Sequence, residues 1–136
     1  MDDAELRRAS EEERVLYAEL AGTYRALAAV LGKGVHFDEI ATHQRRAEVT
    51  AEALRAVAGR IAPHRFGGAA VEVEIQSLWR SSAELAASAL QTNREVHALA
   101  RTRQNAVAAR LARLAAGAQG LAGYRACAEL APLRRG

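Results

Sequence analysis

The chain is poor in the residues that do chemistry and in those that stop helices. It holds a single cysteine, Cys127, so no internal disulfide can form, and that usage fits a reducing compartment. Prolines number two, Pro63 and Pro132, and neither proline nor glycine occurs from Ala69 to Ala116. Aromatic residues are only 4% of the chain, with Trp79 the sole tryptophan. Half the residues are hydrophobic, but many of these are alanine, the best helix former and a poor filler of thick cores. No charge-free apolar run approaches the roughly 18 residues that a membrane span needs. The N-terminus is charged from Asp2 onward and lacks the apolar segment of a secretory signal. A cytoplasmic protein with no membrane span is expected.

Catalytic and metal-binding patterns are missing too. The four histidines, His36, His43, His64 and His97, form no H-E-x-x-H pattern, and the chain has no C-x-x-C. His43 lies on a helical stretch, as in phosphotransfer domains, but Gln44, Arg45 and Arg46 follow it where such domains carry a nearby lysine and a small residue. Ser81 and Ser82 have no histidine and acid arranged to activate them. Glu72 and Glu74, two residues apart, point to different helix faces. Gly117, Gly120 and Gly123 lack the preceding strand and the lysine of a phosphate-binding loop. No enzymatic activity, cofactor, metal or small-molecule substrate is expected.

What the chain does have is helical periodicity. From Ala69 to Ala116, seam positions recur at Val71, Ile75, Leu78, Ser82, Leu85, Ala89, Val96, Ala100, Val107, Leu111 and Leu114. These steps of three and four describe one helix with one apolar seam, about 70 Å long at 1.5 Å per residue. Asn93 and Gln104 fall in gaps of that seam, where polar residues set register or permit a kink. Trp79 sits one residue off it and reads as packing between the long helix and the other two, with a partner-anchoring role as the alternative.

Two shorter helices precede it. The first, about 3–31, starts at the capping residues Asp2 and Asp3 and carries Leu6, Ala9, Leu16, Leu20, Tyr24, Leu27 and Leu31 on one face. Glu13 stands where that face needs an apolar residue, so the first two turns are expected to fray or lie in solvent. Gly32 and Gly34 stop the helix, and Val35, His36 and Phe37 form a short apolar loop placed to cap the bundle end. The second helix, about 38–62, starts at Asp38 and is ended by Pro63. The sequence therefore specifies one all-α domain, an antiparallel hairpin extended to a three-helix up-down bundle whose third helix, about 69–116, is far longer than its neighbours. Helices of roughly 44 and 36 Å cannot cover one of 70 Å. The uncovered seam is an interaction surface. The three glycines at 117, 120 and 123 read as a flexible joint, and residues 117–136 as a flexible or short-helical tail with a helix from Tyr124 to Leu130.

The net charge of +3 hides an asymmetry. Residues 1–68 carry ten basic and eleven acidic side chains, and residues 96–136 carry seven basic and one acidic. That basic end suits nucleic acid, an anionic membrane or an acidic protein, or else is a solvated arginine face. The arginines are not interleaved with aromatics as in nucleic-acid binders.

Several segments resemble the FlgN-type flagellar export chaperones. Glu13, Leu16, Tyr17 and Leu20 are similar to the family's E-x-x-L-Y-x-x-L start. Gln44 to Glu48 stands at its polar, charged turn. Leu99, Asn105 and Val107, followed by Leu111 and Leu114, resemble its L-x-x-x-N-x-x-N-like segment, with Asn105 as the second asparagine, Thr102 in place of the first and Leu99 one residue nearer to them than in the pattern. The resemblance spans residues 10–125. It implies a small helical chaperone that binds the C-terminal helical segment of hook–filament junction subunits and delivers them to the type III export apparatus. The client helix would then lie along Val96, Leu99, Val107, Leu111 and Leu114, with Arg103, Arg110 and Arg113 at its rim. The alternatives are a homo-oligomeric coiled-coil structural or adaptor protein, pairing as a homodimer through this seam, and a basic helical protein associated with nucleic acid.

Overall fold

The computed structural model describes residues 1–34 and 36–135, with side chains described as far as Cys127. Three helices follow one another, α1 (Asp3–Lys33), α2 (Phe37–Arg65) and α3 (Val73–Arg135), and the described residues contain no strand. The chain divides into two compact units, Met1–Ala100 and Arg101–Gly136.

In the first unit the start and end of α1 and the end of α2 have local causes, whereas α2 starts at Phe37, one residue before the expected Asp38, with no side-chain cap. The Asp2 carboxylate accepts from the Glu5 N–H at 2.8 Å, and the Glu5 carboxylate accepts from the Asp2 N–H at 3.1 Å, which closes a capping box. With Leu6 and Ala9 buried, the start of α1 is neither frayed nor solvated, contrary to expectation. Gly34, at φ 141°, ends the helix in a conformation that side chains avoid. Phe37 is exposed and opens α2 rather than capping the bundle, and Val35 lies outside the described residues. Pro63 does not end α2 near Ala62. The helix runs on to Arg65, and the Phe66 N–H closes the last turn on the Ala62 carbonyl at 3.0 Å. At position 67 a Cβ would collide with the Pro63 carbonyl oxygen, so only glycine lets the chain turn there. α3 starts at Val73, four residues later than expected, and its first turn is tied to its surroundings. Gln76 Nε2 donates to the Val71 carbonyl at 3.0 Å, and Arg7 pairs with Glu72 at 2.6 Å and Glu74 at 3.3 Å.

The core is a stack of layers at seven-residue spacing. Leu6 and Ala9 meet Val57, Ile61 and Ile75; Leu20 and Ala21 meet Ala47, Leu54 and Ala89; Leu27 and Leu31 meet Val96, with Ile40 and Leu99 packed against them. Leu6 shares its layer with Ile75 at one end and Leu27 shares its layer with Val96 at the other, so α1 and this part of α3 run parallel. Ile61 sits at the Leu6 end and Ile40 at the Leu27 end, so α2 runs antiparallel to both. This is the expected up-down-up bundle. Its buried positions in α1, at Leu6, Glu13, Leu20 and Leu27, repeat every seven residues as in a coiled coil.

The second unit is formed by the remainder of α3. The helix passes Ala116 and includes Gly117, Gly120 and Gly123 without a break. The expected joint and the separate helix from Tyr124 are therefore replaced by continuous helix. Nothing lies within 4 Å of where a Cβ would sit on any of the three glycines. A helical chain needs no room there, and helix formation by the flanking alanines outweighs a glycine cost of about 1 kcal/mol each.

Candidate protein-binding face

Two features of the structure go beyond core packing. The first lies in the bundle, in the layer where Glu13 of α1 and Ser82 of α3 replace apolar residues. Glu13 is only 1% exposed, and its Oε1 accepts from Arg65 Nη2 at 2.6 Å. Arg65 reaches it because α2 continues past Pro63 and brings Arg65 onto the face of Ile61, one turn earlier. The guanidinium also lies 5.1 Å from the centroid of the Trp79 ring, a cation–π contact. Trp79 Nε1–H donates to Ser10 Oγ at 2.8 Å. Glu13 Oε2 and Ser82 Oγ are buried with no hydrogen-bond partner in the protein. The Tyr17 hydroxyl is held above its ordinary pKa, first by burial and then by the charge of Glu13, with Arg65 opposing. A cleft of about 430 Å³ beside the cluster is lined by residues of mixed charge, among them Tyr17, Arg65 and Arg80. The arrangement ties the ends of α1 and α2 to α3. Among the described residues no three of His, Cys, Asp and Glu are grouped to hold a metal ion, and no helix is long and apolar enough to cross a membrane.

The second feature lies in the second unit. Val107, Leu111, Leu114 and Leu121 are 49–61% exposed, and Tyr124 is 74% exposed. Steps of four, three and seven residues place the first four on one stripe of α3. Within the stretch from Arg101 to Cys127 only Arg103 is less than exposed. A line of three leucines and a valine left in water is not what an isolated helix selects, since exposed surface positions carry no packing advantage for leucine.

The residues assigned to the client surface from sequence divide at this point. Val107, Arg110, Leu111, Arg113 and Leu114 are exposed on the second unit, and Arg103 is half-buried. Val96 and Leu99 do not belong to an open surface. Val96 is 7% exposed and packs with Leu27 and Leu31, and Leu99 packs against the same layer. The bundle uses them because α1 reaches Lys33, which brings Leu31 level with that part of α3. Leu121 and Tyr124 extend the face beyond the residues that the sequence assigns to it, because three glycines in seven residues read as a flexible joint. The Glu13–Arg65 pair was also missed. Its sequence signal is an acid at a seven-residue core position, with an arginine one turn beyond the last core isoleucine of the next helix.

No protein-family model, no curated protein and no solved structure matches the chain.

Proposed function

We propose that this chain is a helix-binding chaperone or adaptor of the export-chaperone kind, which holds an amphipathic helix of a client protein against Val107, Leu111, Leu114 and Leu121. The observation that carries this is the exposure of that stripe on the second unit, while the first unit already buries its own seam. Helix-on-helix docking is the mode that such spacing serves. Covering the exposed part of each side chain contributes roughly 1 kcal/mol, and matching residues on the client add a similar amount before the cost of association. The resemblance of residues 10–125 to the FlgN-type chaperones directs the choice of client to the C-terminal helical segment of a hook–filament junction subunit.

The test is calorimetric titration of such a segment into the full chain and into the Leu111→Asp, Leu114→Asp double variant. Binding by the parent with loss in the variant, at unchanged far-ultraviolet circular dichroism, supports the function. Equal binding by both removes this stripe from it. The second reading, self-association through the same face, predicts a dimer in light scattering that the double variant dissociates.

A further inference from the structure

Seven-residue spacing carries the bundle from the layer of Leu6 and Ile75 to that of Leu20 and Ala89, and the level between them holds Glu13 and Ser82. These two side chains are 1% and 2% exposed, and neither Glu13 Oε2 nor Ser82 Oγ has a hydrogen-bond partner in the protein. Buried polar atoms are rarely left so, and each one either weakens the fold or takes a partner from outside it. Here two such atoms share a level, and both residues line the cleft of about 430 Å³ described above. A space of that size falls in the range of small-molecule sites.

We infer that this cleft binds a small molecule bearing a primary carboxamide, whose N–H groups serve Glu13 Oε2 and Ser82 Oγ and whose oxygen faces Tyr17 and Arg80. The site lies in the first unit and does not depend on the docking function. The charges around it select the class of ligand. Glu13 is already balanced by Arg65, 2.6 Å away, and Arg80 also lines the cleft, so the lining holds one acid and two arginines. An entering cation meets that surplus of positive charge, and an entering carboxylate brings further acceptors to a floor that already has one too many. The floor lacks a neutral donor. A primary carboxamide offers two N–H bonds for the floor and one carbonyl for the donors at the rim, the Tyr17 hydroxyl and the Arg80 guanidinium. The Trp79 ring supplies an apolar wall for the rest of the molecule. Both floor atoms are closed to solvent in the free chain. Entry therefore requires the side chains over them to part, and the exposed Arg80 is the least confined of these.

The test titrates the isotope-labelled full chain with benzamide, benzamidine and benzoate, which share one ring and end in a neutral amide, a cation and an anion. Trp79 is the only tryptophan and lines the cleft, so its single indole N–H resonance reports binding there. Benzamide is expected to shift that resonance saturably at millimolar concentration, with about tenfold higher affinity than either charged analogue. Ser82→Ala, which removes one acceptor with little change in volume, should weaken benzamide about fivefold. Leu111→Asp, on the second unit, should leave its binding unchanged. A blocked glutamine tripeptide, which carries the same amide on a polypeptide, should bind more weakly than benzamide. Equal affinity for the three analogues, or tighter binding of benzamidine or benzoate, overturns the carboxamide assignment. Tighter binding of the tripeptide overturns the assignment to a small molecule. Benzamide binding that Ser82→Ala leaves intact, or no saturable shift at all, overturns the site itself. None of these results bears on the docking stripe, which the Leu111→Asp, Leu114→Asp variant tests separately.

Discussion

Arg65 and Glu13 are 52 residues apart in sequence and 2.6 Å apart in the fold, Nη2 to Oε1, with Glu13 buried and Arg65 stacked over Trp79. A buried carboxylate is tolerated at a core position of α1 because this one cation reaches it. Removing the cation alone leaves a buried charge without a counter-ion, which costs about 3–5 kcal/mol. Arg65→Ala should therefore lower the urea midpoint sharply, with the slope unchanged. Glu13→Leu combined with Arg65→Met, which removes both charges, should restore stability to the parent level or above it. Equal losses in the single and double variants would show that the pair does not act as a pair.

Trp79 is fixed from two sides, by Ser10 Oγ on its Nε1–H and by Arg65 on its ring. Ser10→Ala leaves a part-buried indole N–H without its acceptor and should cost about 1–3 kcal/mol. As the only tryptophan, Trp79 reports its own surroundings. The same variant should shift its emission maximum, whereas Leu111→Asp on the second unit should not.

Alkaline pH gives a further check. Burial raises the Tyr17 pKa above 10.0 in the folded chain, and the charge of Glu13 adds to this. In the unfolded chain the phenol ionises near its ordinary value, so the stabilising contribution is complete below about pH 10 and is lost as pH rises through the folded pKa. Absorbance titration, with Tyr17→Phe to identify the Tyr17 signal, should find that phenol ionising above its ordinary value. Glu13→Gln should lower the Tyr17 pKa. A Tyr17 signal at the ordinary phenol value would contradict the placement of Tyr17.

Much of the bundle was legible because its signals are local. Asp2 at the start of α1, glycine at its end and the leucine spacing of each helix all act within a few residues. The cluster around Glu13 was not legible in the same way. A glutamate in an apolar register reads as a frayed turn until its partner is known, and that partner lies beyond a proline that ordinarily ends a helix. Pro63 is tolerated because it falls in the last turn, where little of α2 remains to be broken. The division of the long seam at Ala100 was hidden for a related reason. Val96, Leu99, Val107 and Leu111 have the same spacing and chemistry, and only the reach of α1 decides which of them are covered. Trp79 packs against the Leu6, Ile61 and Ile75 layer as its place beside the seam predicts, since bulk near a seam is the commoner use of an indole.

The glycines in the second unit make a prediction of opposite sign to the usual one. Gly117, Gly120 and Gly123 are helical, with open space where each Cβ would lie. Replacing all three with alanine should raise helix stability by about 2–3 kcal/mol in total, read as a higher melting temperature for the portion of the circular dichroism signal that the second unit contributes. A fall in helicity would mean that the glycines contact something the free chain supplies.

The central claim is that the bundle of residues 1–100 is complete in itself while the face centred on Leu111 and Leu114 waits for a foreign helix. Hydrogen exchange of the full chain, free and with the junction-subunit helical peptide, tests it most directly. The free chain should exchange slowly at the core positions of the bundle and fast from Gln104 to Leu121, and the peptide should slow only the second group. Slow exchange from Gln104 to Leu121 in the free chain, or peptide protection that falls on the bundle instead, would contradict the account.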